Sequence, residues 1–210
     1  MKFQPDFSEH DNAPTFSGDF VSSPSVIKIL SGALDAIADR GTKRLSMSDI
    51  IEASGVSRGT LYRYFSNKDD VLAAVSEYVC TGFENGIQAA AEGIDDPIER
   101  FRQVMLFYAG YTNENSPDRV FEVEPRFHLA FFRSRFNRYK SAVATALAPL
   151  FEYIEARLGE KIDSAAFVEG LVRLQLSTLL VPADENWANF WNESPDILEK
   201  WLLRLAHQHA

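Results

Sequence analysis

Apolar residues along this chain recur at intervals of three and four, and no segment alternates convincingly at two. Ile27, Leu30, Leu34 and Ile37 share one helical face. They lie between Ser23-Pro24, an N-cap followed by proline at the first helical position, and Gly41, a C-terminal stop. Ser46-Met47-Ser48-Asp49 has the form of a capping box and opens a short second helix through Ile50 and Ile51 to Ser54. Gly55 interrupts, Ser57 caps again, and Leu61 and Phe65 are the apolar pair of a third short helix. Asn67 caps a fourth, whose stripe of Leu72, Val75 and Val79 continues towards Phe83 and Ile87.

The same period persists downstream. Ile98, Phe101, Met105 and Tyr108 form one stripe after Asp95-Asp96-Pro97. Tyr139, Val143, Leu147, Leu150, Ile154 and Leu158 form the longest, and Pro149 predicts a bend near its middle. Residues 163–180 are nearly apolar throughout, and Ser194-Pro195 starts a final helix bearing Ile197, Leu198, Trp201, Leu202 and Leu205. The expected fold class is all-α. Residues 1–22, rich in Asp, Ser, Pro and Phe and without either period, read as a disordered arm. The short helices occupy residues 23–70 and the long ones residues 71–210.

A short helix, a three-residue turn containing Gly55 and a second short helix make a helix-turn-helix, whose second helix enters the DNA major groove. Its exposed face presents Ser57, Arg58, Thr60, Tyr62, Arg63 and Tyr64, while Leu61 and Phe65 hold it to the core. Arginine pairs with guanine edges, threonine meets a thymine methyl or a phosphate, and tyrosine hydroxyls and Lys68 suit phosphate oxygens. Gly59 removes a side chain where backbone approaches the duplex, and Ser46 offers a hydroxyl and helix N-terminal amides to a phosphate. A helix-glycine-helix corner also occurs in proteins that never touch DNA, and an Arg-Tyr-Arg-Tyr face also suits plain solvation.

The net charge of −9 argues against a nucleic-acid partner until its distribution is followed. Residues 1–20 carry a balance of −3 and residues 76–210 a balance of −7, whereas residues 21–75 carry +1, with Arg40, Lys43, Arg44, Arg58, Arg63 and Lys68 clustered there. An acidic body with a locally basic end orients itself on a polyanion. The lone Cys80, the absence of a leader-like N-terminus and the lack of any membrane-length apolar run fit a cytoplasmic protein with no membrane partner.

Residues 45–75, LSMSDIIEASGVSRGTLYRYFSNKDDVLAAV, resemble the DNA-binding signature of the tetracycline-repressor (TetR) family through the ASGVS turn, the TLYRYF recognition helix and the Asn-Lys pair opening the fourth helix. The resemblance implies phosphate contacts from Ser46, Tyr62, Tyr64 and Lys68, and base-edge readout from Arg58, Gly59, Thr60 and Arg63. It also implies an N-terminal three-helix domain on double-stranded DNA with a palindromic operator, a C-terminal helical ligand-binding and dimerisation domain, repression, and a homodimer built by the last two helices. Beyond the motif the match is architectural.

Ten of the 26 aromatic residues fall within residues 98–140, which suits an apolar pocket as well as plain core. The candidate effector residues are Phe101, Met105, Tyr108, Phe127, His128, Phe131, Leu171 and Gln175. The basic run Arg126, Arg133, Arg135, Arg138 and Lys140 is either a solvated helix face or an anchor for an acidic head-group on that effector. Leu171, Leu174, Trp201, Leu202 and Leu205 supply apolar surface for a four-helix interface between two copies, which doubles the half-sites read. No histidine stands at metal spacing from His128, and there is no catalytic elbow, phosphate loop or carboxylate pair, so neither metal, cofactor nor enzymatic activity is expected. The competing reading is a DNA-binding adaptor with the same head and no small-molecule effector.

Overall fold

The computed structural model describes residues 23–114, 125–178 and 185–208. Over them the chain is all-helical: α1 (Pro24–Arg40), α2 (Met47–Ser54), α3 (Arg58–Tyr64), α4 (Lys68–Ala91), α5 (Pro97–Glu114), α6 (Pro125–Leu158), α7 (Ser164–Ser177) and α8 (Glu185–Gln208). The arm expected over residues 1–22 lies outside the described residues. The described chain forms two compact units, residues 23–82 with 125–136, and residues 83–114 with 137–178 and 185–208. The expected boundary between residues 70 and 71 falls inside the first turn of α4, an unbroken helix, and the units part after Gly82.

In the first unit the apolar faces of α1 to α4 close on one core, with Val26, Ile29, Leu30, Ile37, Ile50, Leu61, Phe65 and Val71 at its centre. Helices α1 and α2 meet where Gly32 faces Ser54, and a Cβ on Gly32 would stand 2.5 Å from the Ser54 backbone nitrogen and Cα. Ser54 is buried and turns its hydroxyl back onto the Ile50 carbonyl at 2.5 Å, so no polar atom is left idle at this close crossing. Ser23 occupies the N-cap of α1 as expected, but its side chain makes no capping bond. It reaches the Tyr64 hydroxyl at the end of α3 instead.

In the second unit, Asp96 accepts the backbone N–H groups of Ile98 and Glu99 at 2.9 and 2.8 Å and starts α5. The stripe Ile98, Phe101, Met105, Tyr108 is buried, as is the stripe of α6 from Tyr139 to Ile154, with Leu158 half-buried. Helix α6 begins at Pro125 and runs on past Pro149. Arg100 donates to the Ala91 carbonyl at 2.7 Å and the Ala146 carbonyl at 2.8 Å, tying the end of α4 and the middle of α6 to α5. Arg102 ties α5 to α8 through Asp196 and the Asn192 carbonyl.

The last helix departs from the sequence expectation. It starts at Glu185, not at Ser194-Pro195, and Pro195 lies inside it. Proline has no N–H to give the carbonyl four residues back, which belongs to Trp191. The Ser194 hydroxyl donates to that carbonyl at 3.1 Å, so the serine that reads as a cap repairs the ladder in mid-helix.

Candidate nucleic-acid interface and effector site

The sequence builds the head's reading helix with three local devices. Ser46 and Asp49 close the capping box: the Asp49 N–H donates to the Ser46 hydroxyl at 3.3 Å, and the Ser46 N–H to the Asp49 carboxylate at 2.9 Å. The Ser46 hydroxyl also donates to Asp49 at 2.7 Å, and Arg40 adds an ion pair at 2.8 Å. The Ser46 side-chain bond, more than the Ser46 amide or Arg40, holds the Asp49 carboxyl below the usual aspartate range. Gly55, at φ 62°, then turns the chain through the left-handed region while its N–H caps the Ile51 carbonyl at 2.9 Å. Ser57 starts α3 by accepting the Thr60 N–H at 3.0 Å, and the two hydroxyls bond to each other at 2.8 Å.

Leu61 and Phe65 are buried, which leaves the opposite face of α3 outward. Ser46, Ser57, Arg58, Gly59, Tyr62 and Arg63 are exposed, while Thr60, Tyr64 and Lys68 are half-buried. Arg58 lies 5.4 Å over the Tyr62 ring and Arg63 lies 4.7 Å over the Tyr64 ring, pre-ordering two guanidinium groups on the open face. Bonds from Ser23, first, and then from Arg63 hold the Tyr64 hydroxyl below the ordinary phenol range. Lys68 donates to the Thr42 carbonyl at 3.1 Å, so it also ties the loop after α1 to the start of α4. A Cβ on Gly59 would meet only the Ser57 hydroxyl oxygen, at 3.9 Å, so nothing within the chain calls for glycine there.

The expected effector residues fall in both units. Phe101, Met105 and Tyr108 are buried on α5, and on α7 the buried Gln175 donates to the Tyr108 carbonyl at 3.1 Å, with Leu171 half-buried one turn earlier. Phe127, His128 and Phe131 belong to the other unit, where His128 meets Phe127 edge-on at 5.2 Å and Phe131 meets Phe132 at 5.4 Å. The aromatic centre near Tyr108 is Phe83 on α4, which the stripe reading had passed over as a helix extension. Its ring lies 4.9–5.9 Å from those of Phe107, Tyr108, Tyr111 and Tyr139. Phe107 sits directly on the α4 backbone, because a Cβ on Gly86 would land 2.4 Å from its ring.

The basic run divides. Arg138 pairs with Glu84 and Lys140 with Glu169, at 2.7 and 3.1 Å. Arg126 and Arg133 are exposed, and the buried Nε of Arg135 has no hydrogen-bond partner among the described residues. On the expected dimer face Leu174 is 40% exposed and Leu171 half-buried; Trp201, Leu202 and Leu205 lie on α8, with their side chains outside the described set. Phe167 (39% exposed), Phe190 (44%) and Ile197 (56%) were not singled out from sequence. The seven-residue spacing of Phe167 with Leu174 on α7 and of Phe190 with Ile197 on α8 was the available signal, because it places each pair on one helix face. Among the described residues no cluster of His, Cys, Asp or Glu could hold a metal.

A capped helix-turn-helix with an outward arginine-tyrosine face, joined to a helical second unit, defines a helix-turn-helix DNA-binding regulator. Residues 29–75 match the model of the bacterial regulatory proteins, tetR family. The chain is 35% identical over 69 residues to the uncharacterized HTH-type transcriptional regulator YvdT of Bacillus subtilis (strain 168), a match spanning 33% of this chain and 36% of that protein. The fatty acid metabolism regulator protein of the same organism is 24% identical over 163 residues, 77% of this chain and 81% of that one. The crystal structure of AibR in complex with isovaleryl coenzyme A and operator DNA shares the fold, with a TM-score of 0.57 at 20% identity over 81% of this chain and 97% of that one. The chain belongs to the TetR family of DNA-binding transcriptional regulators and is not an enzyme.

Proposed function

We propose that this regulator is a cytoplasmic repressor that binds a palindromic operator as a homodimer and is released by a largely apolar small molecule. In this reading residues 23–70 contact DNA and residues 71–210 sense and dimerise. Arg58, Gly59, Thr60 and Arg63 face base edges. Ser57, Tyr62, Tyr64, Lys68 and the first-turn amides after Ser46 face phosphates. The Ser46 hydroxyl itself is engaged with Asp49, which makes the amides the better donors. No described helix is long and apolar enough to cross a membrane.

Gly59 carries this reading. Glycine inside an exposed helix costs about 1 kcal/mol relative to alanine, and the surroundings leave room for a methyl group. A residue kept at that cost with no internal reason points to a surface that must come close from outside. Gly59→Ala is expected to raise the head's stability by about 0.5–1 kcal/mol while weakening operator binding. Thermal melts and gel shifts on the same samples read both, and unchanged DNA affinity in the more stable variant would remove the recognition-helix assignment.

Lys68→Ala has a mixed expectation. Loss of a phosphate contact lowers affinity about equally for all sequences and reduces the slope of log affinity against log salt by roughly 1. The Thr42 carbonyl also loses its donor, so the melting temperature falls as well. Sensing is supported by the aromatic concentration around Phe83 and by relatives whose names concern fatty acid metabolism and an acyl coenzyme A. The ring-to-ring closeness of that same cluster favours the second reading, an adaptor with a filled body. A ligand screen by thermal shift, followed by operator titration, separates the two.

A further inference from the structure

We propose that the effector carries an uncharged carbonyl on an apolar chain, as in an ester, thioester, lactone or ketone, and that the Tyr108 hydroxyl donates a hydrogen bond to it; this rests on the sensing reading above. Tyr108 is 5% exposed, with its ring 5.7 Å from Phe83. Its backbone carbonyl is engaged by Gln175, but no described residue hydrogen-bonds its hydroxyl. A buried donor left idle is costly, and native proteins rarely keep one without a use. Burial also pushes this phenol far above its ordinary pKa, so it stays protonated and donating at neutral pH. The group that matches a lone donor is an acceptor with no proton of its own.

A carboxylate does not match. Desolvating one requires a counter-charge, and the described cations of the unit that holds Tyr108 are engaged or outside the core. Arg138 is held by Glu84, Lys140 and Arg173 by Glu169, and Arg102 by Glu99 and Asp196. Arg100 is spent on two backbone carbonyls, and Arg157, Lys161 and Lys200 are exposed. The Arg138 and Lys140 end of the basic run therefore does not serve as an acid anchor.

The test uses the full chain with straight-chain carboxylates from hexanoate to dodecanoate and the methyl ester of each, read by calorimetric titration and thermal shift. At least one ester is expected to bind about tenfold more tightly than its own acid. Tyr108→Phe is expected to remove most of that, a loss of about five- to tenfold, consistent with one net hydrogen bond. The ligand-free melting temperature of Tyr108→Phe should be equal or higher, whereas a hydroxyl that merely held the core through a water would lower it. Tighter binding of the acids, or full ester affinity in Tyr108→Phe, overturns this proposal alone. Binding of neither probe series overturns the sensing reading and this proposal together.

Discussion

Gly32→Ala is expected to destabilise the DNA-binding head by about 1–3 kcal/mol, although a glycine-to-alanine change in a helix ordinarily gains up to about 1 kcal/mol. The sign reverses because the new methyl would stand 2.5 Å from the backbone of Ser54, and backbone has no rotamer with which to move aside. Helices α1 and α2 must separate instead. Head stability is expected to be no more than about 5–15 kcal/mol, so the change takes a sizeable share of it. Function suffers before the head melts, because only Gly55, Val56 and Ser57 link α2 to α3, and a shift of one helix displaces the other. Operator affinity should therefore fall at temperatures where the variant is still folded. Ser31→Ala, exposed on the neighbouring position of α1, is the control and should stay within about 0.5 kcal/mol of wild type. A Gly32→Ala melt indistinguishable from that control would show that the α1–α2 crossing has slack.

Phe190→Glu combined with Ile197→Glu should leave each chain folded and lower specific operator affinity by about 10²–10⁴-fold. Both side chains are exposed on α8, so charging them empties no core position, and circular dichroism should be unchanged. In a homodimer closed by α7 and α8 the same residues are buried beside Phe167 and Leu174. There each large apolar side chain contributes roughly 1.5–3 kcal/mol, and a glutamate brings a desolvation cost in its place. Once the dimer parts, the second half-site is no longer bound at high effective concentration, which sets the size of the loss. Sedimentation of the wild type as a monomer at micromolar concentration, or full operator affinity in the double variant, would refute the assembly.

What was legible in the sequence is what is decided within one turn of helix. Ser46 with Asp49, Gly55 and Ser57 fix the helix-turn-helix through contacts no more than four residues apart, and those boundaries follow from residue type. The stripes of α5 and α6 were legible because burial follows the 3.6-residue period. Distant contacts were not. The basic run could not be resolved into paired and unpaired members because Glu84 lies 54 residues from Arg138 and Glu169 lies 29 from Lys140. The α1–α2 crossing at Gly32 and Ser54 depends on two small residues in different helices, neither informative alone. Ser194-Pro195 misled because a cap and a mid-helix repair use the same two residues and differ only in what precedes them, here the aromatic turns around Trp187 and Trp191.

The chain has three tryptophans, and Trp187, Trp191 and Trp201 all lie on α8. Trp187 stacks on Phe190 at 5.6 Å, and Trp191 is fully enclosed. Intrinsic fluorescence excited at the red edge of tryptophan absorption therefore reports on the last helix alone. It should brighten, quench or shift when the α8 face is covered or when the second unit melts, and it is blind to the head. A fluorescence melt of Gly32→Ala would look like wild type even with the reading helix displaced, so backbone dichroism is needed to see that variant. The same blindness is useful for the Phe190 and Ile197 face. Dimer dissociation on dilution can be followed by tryptophan emission while operator DNA is bound, with no label attached and no signal from the DNA-contacting helices.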